Sequence, residues 1–457
     1  MKKQILLGAA LLFAAGMYAQ QCQDCTIQQQ DCTDCSFTQL NSGPRGAAIN
    51  TSYVDQQGAE NSANATQSGD GNFSTIKQDG KMYSQNGTTG GFGNVAHVRQ
   101  FGSLNTSDIK QDGNYNYGDI YQDGRANFAK QDVGVGYSEN NIAGVVQLGE
   151  GNTSFQKQRY DNNEATVHQG GSGNYAEQNQ SSLANSVVGS NAFILQYDTE
   201  NQAKQKQRGS FNNAFAVQAG LQNTSNQNQV SDAGGLSSNA SYVNQFGAWN
   251  LSCVYQVATG LGLNVSDVQQ TGEDNASYVN QMATNGNNSS VVSSNGTANK
   301  SAVNQTADGG ANFSDVLQDG TDNESYVAQI TTNGGNNNSE VYQDGDSNMS
   351  GVSQDGAGIN SSGVTQIGAG NYSVVNQYAE ASGENLSAVL QNGLNNFSCV
   401  NQNATAGTNN SNVYQFGTGN QSYINQNAIS ASNLSDVSQV GHNNYSTVTQ
   451  TGVSAGN

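Results

Sequence analysis

The sequence predicts an all-β solenoid with two strands per rung, and three observations predict it. First, one phrase, Asn-x-Ser-x-Val-x-Gln-x-Gly-x-x, recurs along most of the chain. It runs from Asn50, Ser52, Val54, Gln56 and Gly58 to Asn444, Ser446, Val448, Gln450 and Gly452, in about 33 recognisable units. Such a period marks a stack of small units. Second, from Asn239 to Asn444 the unit starts alternate between steps of 11 and steps of 12 to 14. One turn is fixed in length and the next varies, as in a coil with a tight edge and a loose edge. Third, the single proline, Pro44, precedes the first unit. A continuous sheet requires this, because each proline removes a ladder donor.

Each element follows from the unit. Asn, Ser, Val and Gln occupy positions 1, 3, 5 and 7, and a period of two puts them on one face of a strand. The remaining x-Gly-x-x is a short turn, in which Gly supplies backbone angles that other residues resist. Asn239, Ser241, Val243, Gln245 and Gly247, followed by Asn250, Ser252, Val254 and Gln256, form one strand-turn-strand pair. A rung is then about 24 residues. About 16 rungs at strand spacing give a body on the order of 80 Å long.

The repeated face should point inward. Val or Ile at position 5 buries apolar area, and Ser or Ala at position 3 lets the sheets approach. Asn and Gln at positions 1 and 7 form amide ladders, each donating to one neighbour and accepting from the other. A lone buried Gln is costly, whereas in a ladder every rung but the end ones is satisfied. Outward position 4 carries Tyr (Tyr53, Tyr242, Tyr278, Tyr326, Tyr423) or Asp (Asp108, Asp119, Asp267, Asp315, Asp436). Further Asp fill the turns at Asp79, Asp112, Asp123, Asp319, Asp344 and Asp355. Stacked aspartates read as gatekeepers against lateral association. The glycine-rich nonapeptide of calcium-loaded solenoids is absent. Cys253 and Cys399 also sit at position 4, six rungs or roughly 29 Å apart, so no bridge joins them within one chain.

Two other regions precede the repeats. Residues 1–19 read as a signal peptide: Met1-Lys2-Lys3, an apolar run from Ile5 to Ala15, and a small residue, Ala19, at the cleavage point. The run is too short for a membrane span, and none is expected in the mature chain. Residues 20–49 form a Gln- and Cys-rich leader with Cys22, Cys25, Cys32 and Cys35. In an exported chain these read first as disulfides, with a zinc site or free thiols as alternatives. The third region, 50–457, is the repeat solenoid.

Charged residues are only 11% of the chain, and the net charge is −20. No basic patch or stripe is evident in the sequence, so nucleic acid is not an expected partner. His97, His168 and His442 are scattered singly. With no catalytic grouping and no nucleotide loop, neither an enzyme nor a cofactor is expected.

These residues carry a family likeness. The string Asn-x-Ala/Ser-x-x-x-Gln-x-Gly-x-x-Asn-x-Ala/Ser-x-x-x-Gln resembles the curlin repeat of curli fibre subunits. It fits from Asn239 to Gln256, from Asn385 through Gln391 and Asn396 to Gln402, and from Asn433 through Gln439 and Asn444 to Gln450. The resemblance covers about residues 50–457. It implies an exported functional amyloid subunit that polymerises end to end into extracellular, pilus-like fibres for biofilm matrix and cell adhesion. The partners so implied are further copies of the chain, a nucleator and outer-membrane secretion machinery. The chain departs from the family in its larger number of repeats, its cysteine-rich segment and its irregular N-terminal half. The alternative readings are a non-polymerising surface adhesin and a fibre nucleator or cap.

Overall fold

The computed structural model describes residues 25–33, 36–42, 49–79, 82–84, 87–89, 92–135, 138–183, 188–232 and 236–453. The expected signal peptide, Cys22 and Cys35 lie outside them. Cys25 and Cys32 fall in a described strand, but their side chains, and with them any bridge, lie outside the description.

Regular structure among the described residues is entirely β. Eighteen strands form one parallel sheet (sheet 1), from Cys25–Thr33 through Thr51–Ala59 to Tyr445–Gly452. Seventeen form a second (sheet 2), from Ser36–Ser42 through Ser62–Asp70 to Ser432–His442. No pairing joins the two end strands of either sheet among the described residues, so both sheets are open. The chain passes from one sheet to the other and back, one circuit per rung. Repeat positions stack in register: Asn239 on Asn264, Ser241 on Ser266, Val243 on Val268, Gln245 on Gln270 and Gly247 on Gly272. The expected two-strand solenoid is the fold.

Stacking begins before residue 50. Strand Cys25–Thr33 pairs with Thr51–Ala59, and Ser36–Ser42 pairs with Ser62–Asp70. Ile27 is in register with Val54, and Gln29 with Gln56. A degenerate unit therefore lies inside the segment read from sequence as a separate leader.

The two edges differ, and they explain the irregular half. From Asn61 onward every passage from sheet 2 to sheet 1 takes 11 residues, as from Asn61 to Asn72 and from Asn433 to Asn444; the first, from Ser36–Ser42 to Thr51–Ala59, takes 15 between equivalent positions. From Asn61 onward all variation falls on the return edge. There, from Asn50 to Asn239, short and long connections alternate: Asn50 to Asn61, then Asn72 to Asn94; Asn105 to Asn116, then Asn127 to Asn141. The weak stretches at 81–93, 181–189 and 228–238 overlap the long connections. The first holds a small antiparallel pair, Met82–Ser84 with Gly87–Thr89.

A glycine column fixes the tight edge. Gly247 has φ 110°, and a Cβ there would run into the carbonyl oxygen of Gly272 one rung on. Gly272 stands in the same relation to Gly296, and Gly296 to Gly320. Both the positive φ and the close approach require glycine. Between the sheets, position 5 forms the apolar core. From Val243 to Val437 it is one continuous cluster, with no member more than 5% exposed. Val54 to Ala216 make a second cluster.

These contacts predict the effect of two glycine substitutions. Gly320→Ala should lower stability by about 1–3 kcal/mol, since it forces a strained backbone against a neighbouring carbonyl. Gly351 sits in open space, and Gly351→Ala should be neutral or slightly stabilising. Thermal unfolding followed by circular dichroism separates them; equal losses would show that the glycine column does not hold the edge.

Candidate functional site

The candidate site is the pair of amide ladders and the outer faces they carry. Asn239, Ser241, Val243, Gln245, Asn250, Gln256, Asn385, Gln391, Asn396, Gln402, Asn433 and Gln439 are all buried, while Asn444 and Gln450 on the last rung are partly exposed. Gln245 Nε2 donates to Gln270 Oε1 at 2.8 Å and Gln256 Nε2 to Gln281 Oε1 at 2.7 Å. The series continues through Gln391 to Gln415, Gln402 to Gln426, Gln415 to Gln439 and Gln426 to Gln450.

The two ladders have opposite polarity. Each Gln donates forward, toward the C-terminal rungs. Where the ladder Asn side chains pair, the donation runs backward: Asn250 Nδ2 to Asn223 Oδ1 at 3.0 Å, Asn275 Nδ2 to Asn250 Oδ1 at 3.0 Å. The backbone dictates both directions. Asn250 Oδ1 also accepts from the backbone N–H of Asn275, which can only donate. Gln245 Nε2 also donates to the carbonyls of Thr224 and Asn250, which can only accept. On the tight edge the Asn closes the turn as well: Asn250 Nδ2 reaches the carbonyls of Phe246 and Gly272. On the loose edge of the C-terminal half, Asn264 Nδ2 donates to Asn239 Oδ1 and to the carbonyl of Val257.

The ladders are less uniform than the sequence reading expected. Val133 stands in register between Gln111 and Gln158, and Gln158 Oε1 is left buried without a partner. Ser294 replaces Gln between Gln270 and Gln318. A second glutamine ladder replaces the apolar column of sheet 1 at position 5. It runs Gln131, Gln156, Gln178, Gln205, Gln227, with steps of 2.8–3.0 Å. Each of these also donates across the core to a sheet 2 carbonyl, as Gln156 does to Gly144. Gln131 opens the ladder above Ile109, so its Oε1 is unpartnered. The repeat phrase does not reveal this ladder, but its signal is present in Gln156-x-Gln158, Gln178-x-Gln180, Gln205-x-Gln207 and Gln227-x-Gln229. Position 3 forms no continuous ladder, although Ser74 Oγ donates to Ser52 Oγ at 3.0 Å. Ser252, Ser277, Ser301 and Ser325 carry buried hydroxyls without partners. Their use is small volume, which the N-terminal half achieves with Ala143, Ala165 and Ala176.

On the outer faces, Tyr242, Tyr278, Tyr326 and Tyr423 are exposed. Rings stack along the axis: Phe193 on Phe215 at 5.0 Å, and Tyr423 between Phe397 and Tyr445 at 5.2 and 5.7 Å. Cys253 and Cys399 are free and separated by six strand steps of sheet 1. Burial pushes both thiols up. His97 packs edge-on against Tyr117, and burial lowers the pKa of His168.

Folding creates a cationic face where none was evident in the sequence. Lys157, Arg159, Lys204, Lys206 and Arg208 all project outward, exposed, from sheet 1. Cations at alternate positions of Lys157-Gln-Arg159 and Lys204-Gln-Lys206-Gln-Arg208 share one side of a strand, and rung stacking then brings the two strands together. The absence of a basic patch is thus corrected. On sheet 2, Asp315 and Asp319 stand in register with Glu340 and Asp344. Burial first, and Glu340 second, push the Asp315 carboxyl above its ordinary value.

Among the described residues no helix is long and apolar enough to cross a membrane. No family model matches the chain, and no curated protein matches its sequence.

Two predictions follow from these positions. Gln329→Ala breaks the Gln305–Gln329–Gln354 run and strands buried amide groups, at a cost of about 1–3 kcal/mol. Ser325→Ala removes an unpartnered hydroxyl and should be neutral or stabilising. Denaturant unfolding of both tests this, and a Ser325→Ala loss as large as that of Gln329→Ala would contradict the ladder assignment. Asp315 has a raised folded pKa, so its ionised form weakens the fold above that pKa and the penalty disappears as pH falls below the ordinary aspartate value. Asp315→Asn should therefore raise the melting temperature at neutral pH, with no gain in acid.

Proposed function

We propose that the chain is an exported structural subunit of an extracellular curli-like amyloid fibre, adding end to end. The observation that carries this reading is translational self-complementarity. One side of a rung that carries the full repeat presents Gln Nε2 donors and Asn Oδ1 acceptors, and its other side presents the matching Gln Oε1 acceptors and Asn donors. A rung therefore accepts an identical rung in the same orientation and meets a mismatch in the reversed one. Sheet edges with free backbone donors and acceptors template further strands. Growth by this route is head to tail, and it continues the cross-β stack from one copy to the next. A fibre of this kind fits the likeness to the curlin repeat, the signal-peptide pattern and a role in matrix and adhesion.

Incubating the purified mature chain with thioflavin tests the proposal. Fluorescence should grow after a lag, with fibre reflections near 4.7 and 10 Å. Replacing Gln426, Gln439 and Gln450 with Ala should slow growth several-fold, while Tyr423→Ala has the smaller effect. A β-rich chain that stays monomeric would refute the polymer and leave a surface adhesin.

A further inference from the structure

Among the described residues, four cations form ion pairs and a group of five does not. Arg99, Lys110, Arg125 and Lys130 each meet a carboxylate, with Asp119 at 3.0 Å, Asp112 at 2.7 Å, Glu150 at 3.5 Å and Asp108 at 2.9 Å. Lys157, Arg159, Lys204, Lys206 and Arg208 have no carboxylate within ion-pairing distance among the described residues, and all five are exposed. They occupy strands Thr153–Arg159 and Gln202–Arg208 of sheet 1, with Tyr175–Ser181 between. The one carboxylate on that middle strand, Glu177, accepts a hydrogen bond from Tyr175. Neighbouring cations in a row are about 7 Å apart, and the rows about 10 Å apart.

The complementary surface lies on the other sheet, farther along. Residues 209–457 hold 16 Asp and Glu against a single cation, Lys300. Five of these acids gather on adjacent sheet 2 strands: Asp315 and Asp319 on Ala311–Thr321, and Glu340, Asp344 and Asp346 on Asn336–Asp346. Lys300 lies on sheet 1, so no cation faces them from their own sheet in this half. The two charged faces point away from each other within one copy and cannot meet there.

We propose that the cationic face of sheet 1 docks on the acidic face of sheet 2 of a second copy, joining solenoids side by side. Both faces are parallel sheets with the same strand spacing, so rows of charge can align over several rungs. The two centres are five to six strand steps apart, which staggers the copies by on the order of 25 Å. The contact is heterologous: each copy keeps one free face of each sign, and the array remains open. The aspartates thus repel a like face, as gatekeepers do, and attract the unlike one. This docking concerns the sides of the solenoid and does not depend on growth at its ends.

The test compares the full mature chain with two variants, Lys157→Gln/Lys204→Gln/Lys206→Gln and Asp319→Asn/Glu340→Asn/Asp344→Asn, matched for β content by circular dichroism. Sedimentation and particle width by electron microscopy report side-by-side association, and thioflavin growth rate reports end-to-end addition separately. Both variants should lose lateral association with growth rate unchanged. Wild-type association should also fall as salt rises from about 0.1 M to about 1 M, because the screening length shrinks from about 10 Å to about 3 Å. Lys204→Glu/Lys206→Glu chains mixed with Asp319→Lys/Asp344→Lys chains should associate with each other. Association that survives the acidic-face variant or the high salt would overturn the proposal. So would duplex DNA binding that is lost in the lysine variant while lateral association persists, which would assign the face to a polyanion. If no fibres form, sedimentation of the soluble chain still decides the lateral contact.

Discussion

A buried amide needs a donor and an acceptor at once, and a parallel stack lets an identical neighbour supply both. In this chain the Asn and Gln side chains meet that need one strand spacing apart, while backbone groups that can only donate or only accept fix their orientation. The rest follows. The rungs must stay in register, so the steps on the tight edge must be equal. That edge is accordingly built from a glycine column and an Asn that closes each turn. Length variation is displaced to the opposite edge, where the polar core does not constrain it.

The same requirement makes the two halves different. From Asn239 onward the apolar column is continuous and the amides flank it. Between Gln131 and Gln227 the apolar column of sheet 1 gives way to a second ladder, so much of that core is held by hydrogen bonds. Such a core is stable only where each amide finds its neighbour, and the few that do not lie where one residue type replaces another in a column. Gln158 above Val133 and Gln131 above Ile109 are such cases.

Charge follows a separate rule, because outward positions are free of the ladder. The N-terminal half interleaves both signs, and several of its ion pairs join neighbouring rungs. The C-terminal half is almost purely acidic. A long body with unlike faces at different heights favours staggered contacts over aligned ones, whichever partner meets them.

The sequence by itself determined the period, the strands, the turn glycine, the inward identity of Asn, Ser, Val and Gln, and the two-edged coil. These were legible because each depends on local alternation or on spacing between units. It also held the Gln-x-Gln signal of the second ladder and the alternating cations of each basic strand. What only the tertiary structure decided is which rows lie together. Lys157 and Lys206 are distant in the chain but lie two strands apart, because stacking converts a separation of two rungs into about 10 Å. Stacking also decided that Cys25-x-Ile27-x-Gln29 joins the coil, that the irregular connections share one edge, and that the Asn and Gln ladders point in opposite directions. Hydrogen-bond direction depends on the backbone groups surrounding each amide, and those come from other rungs.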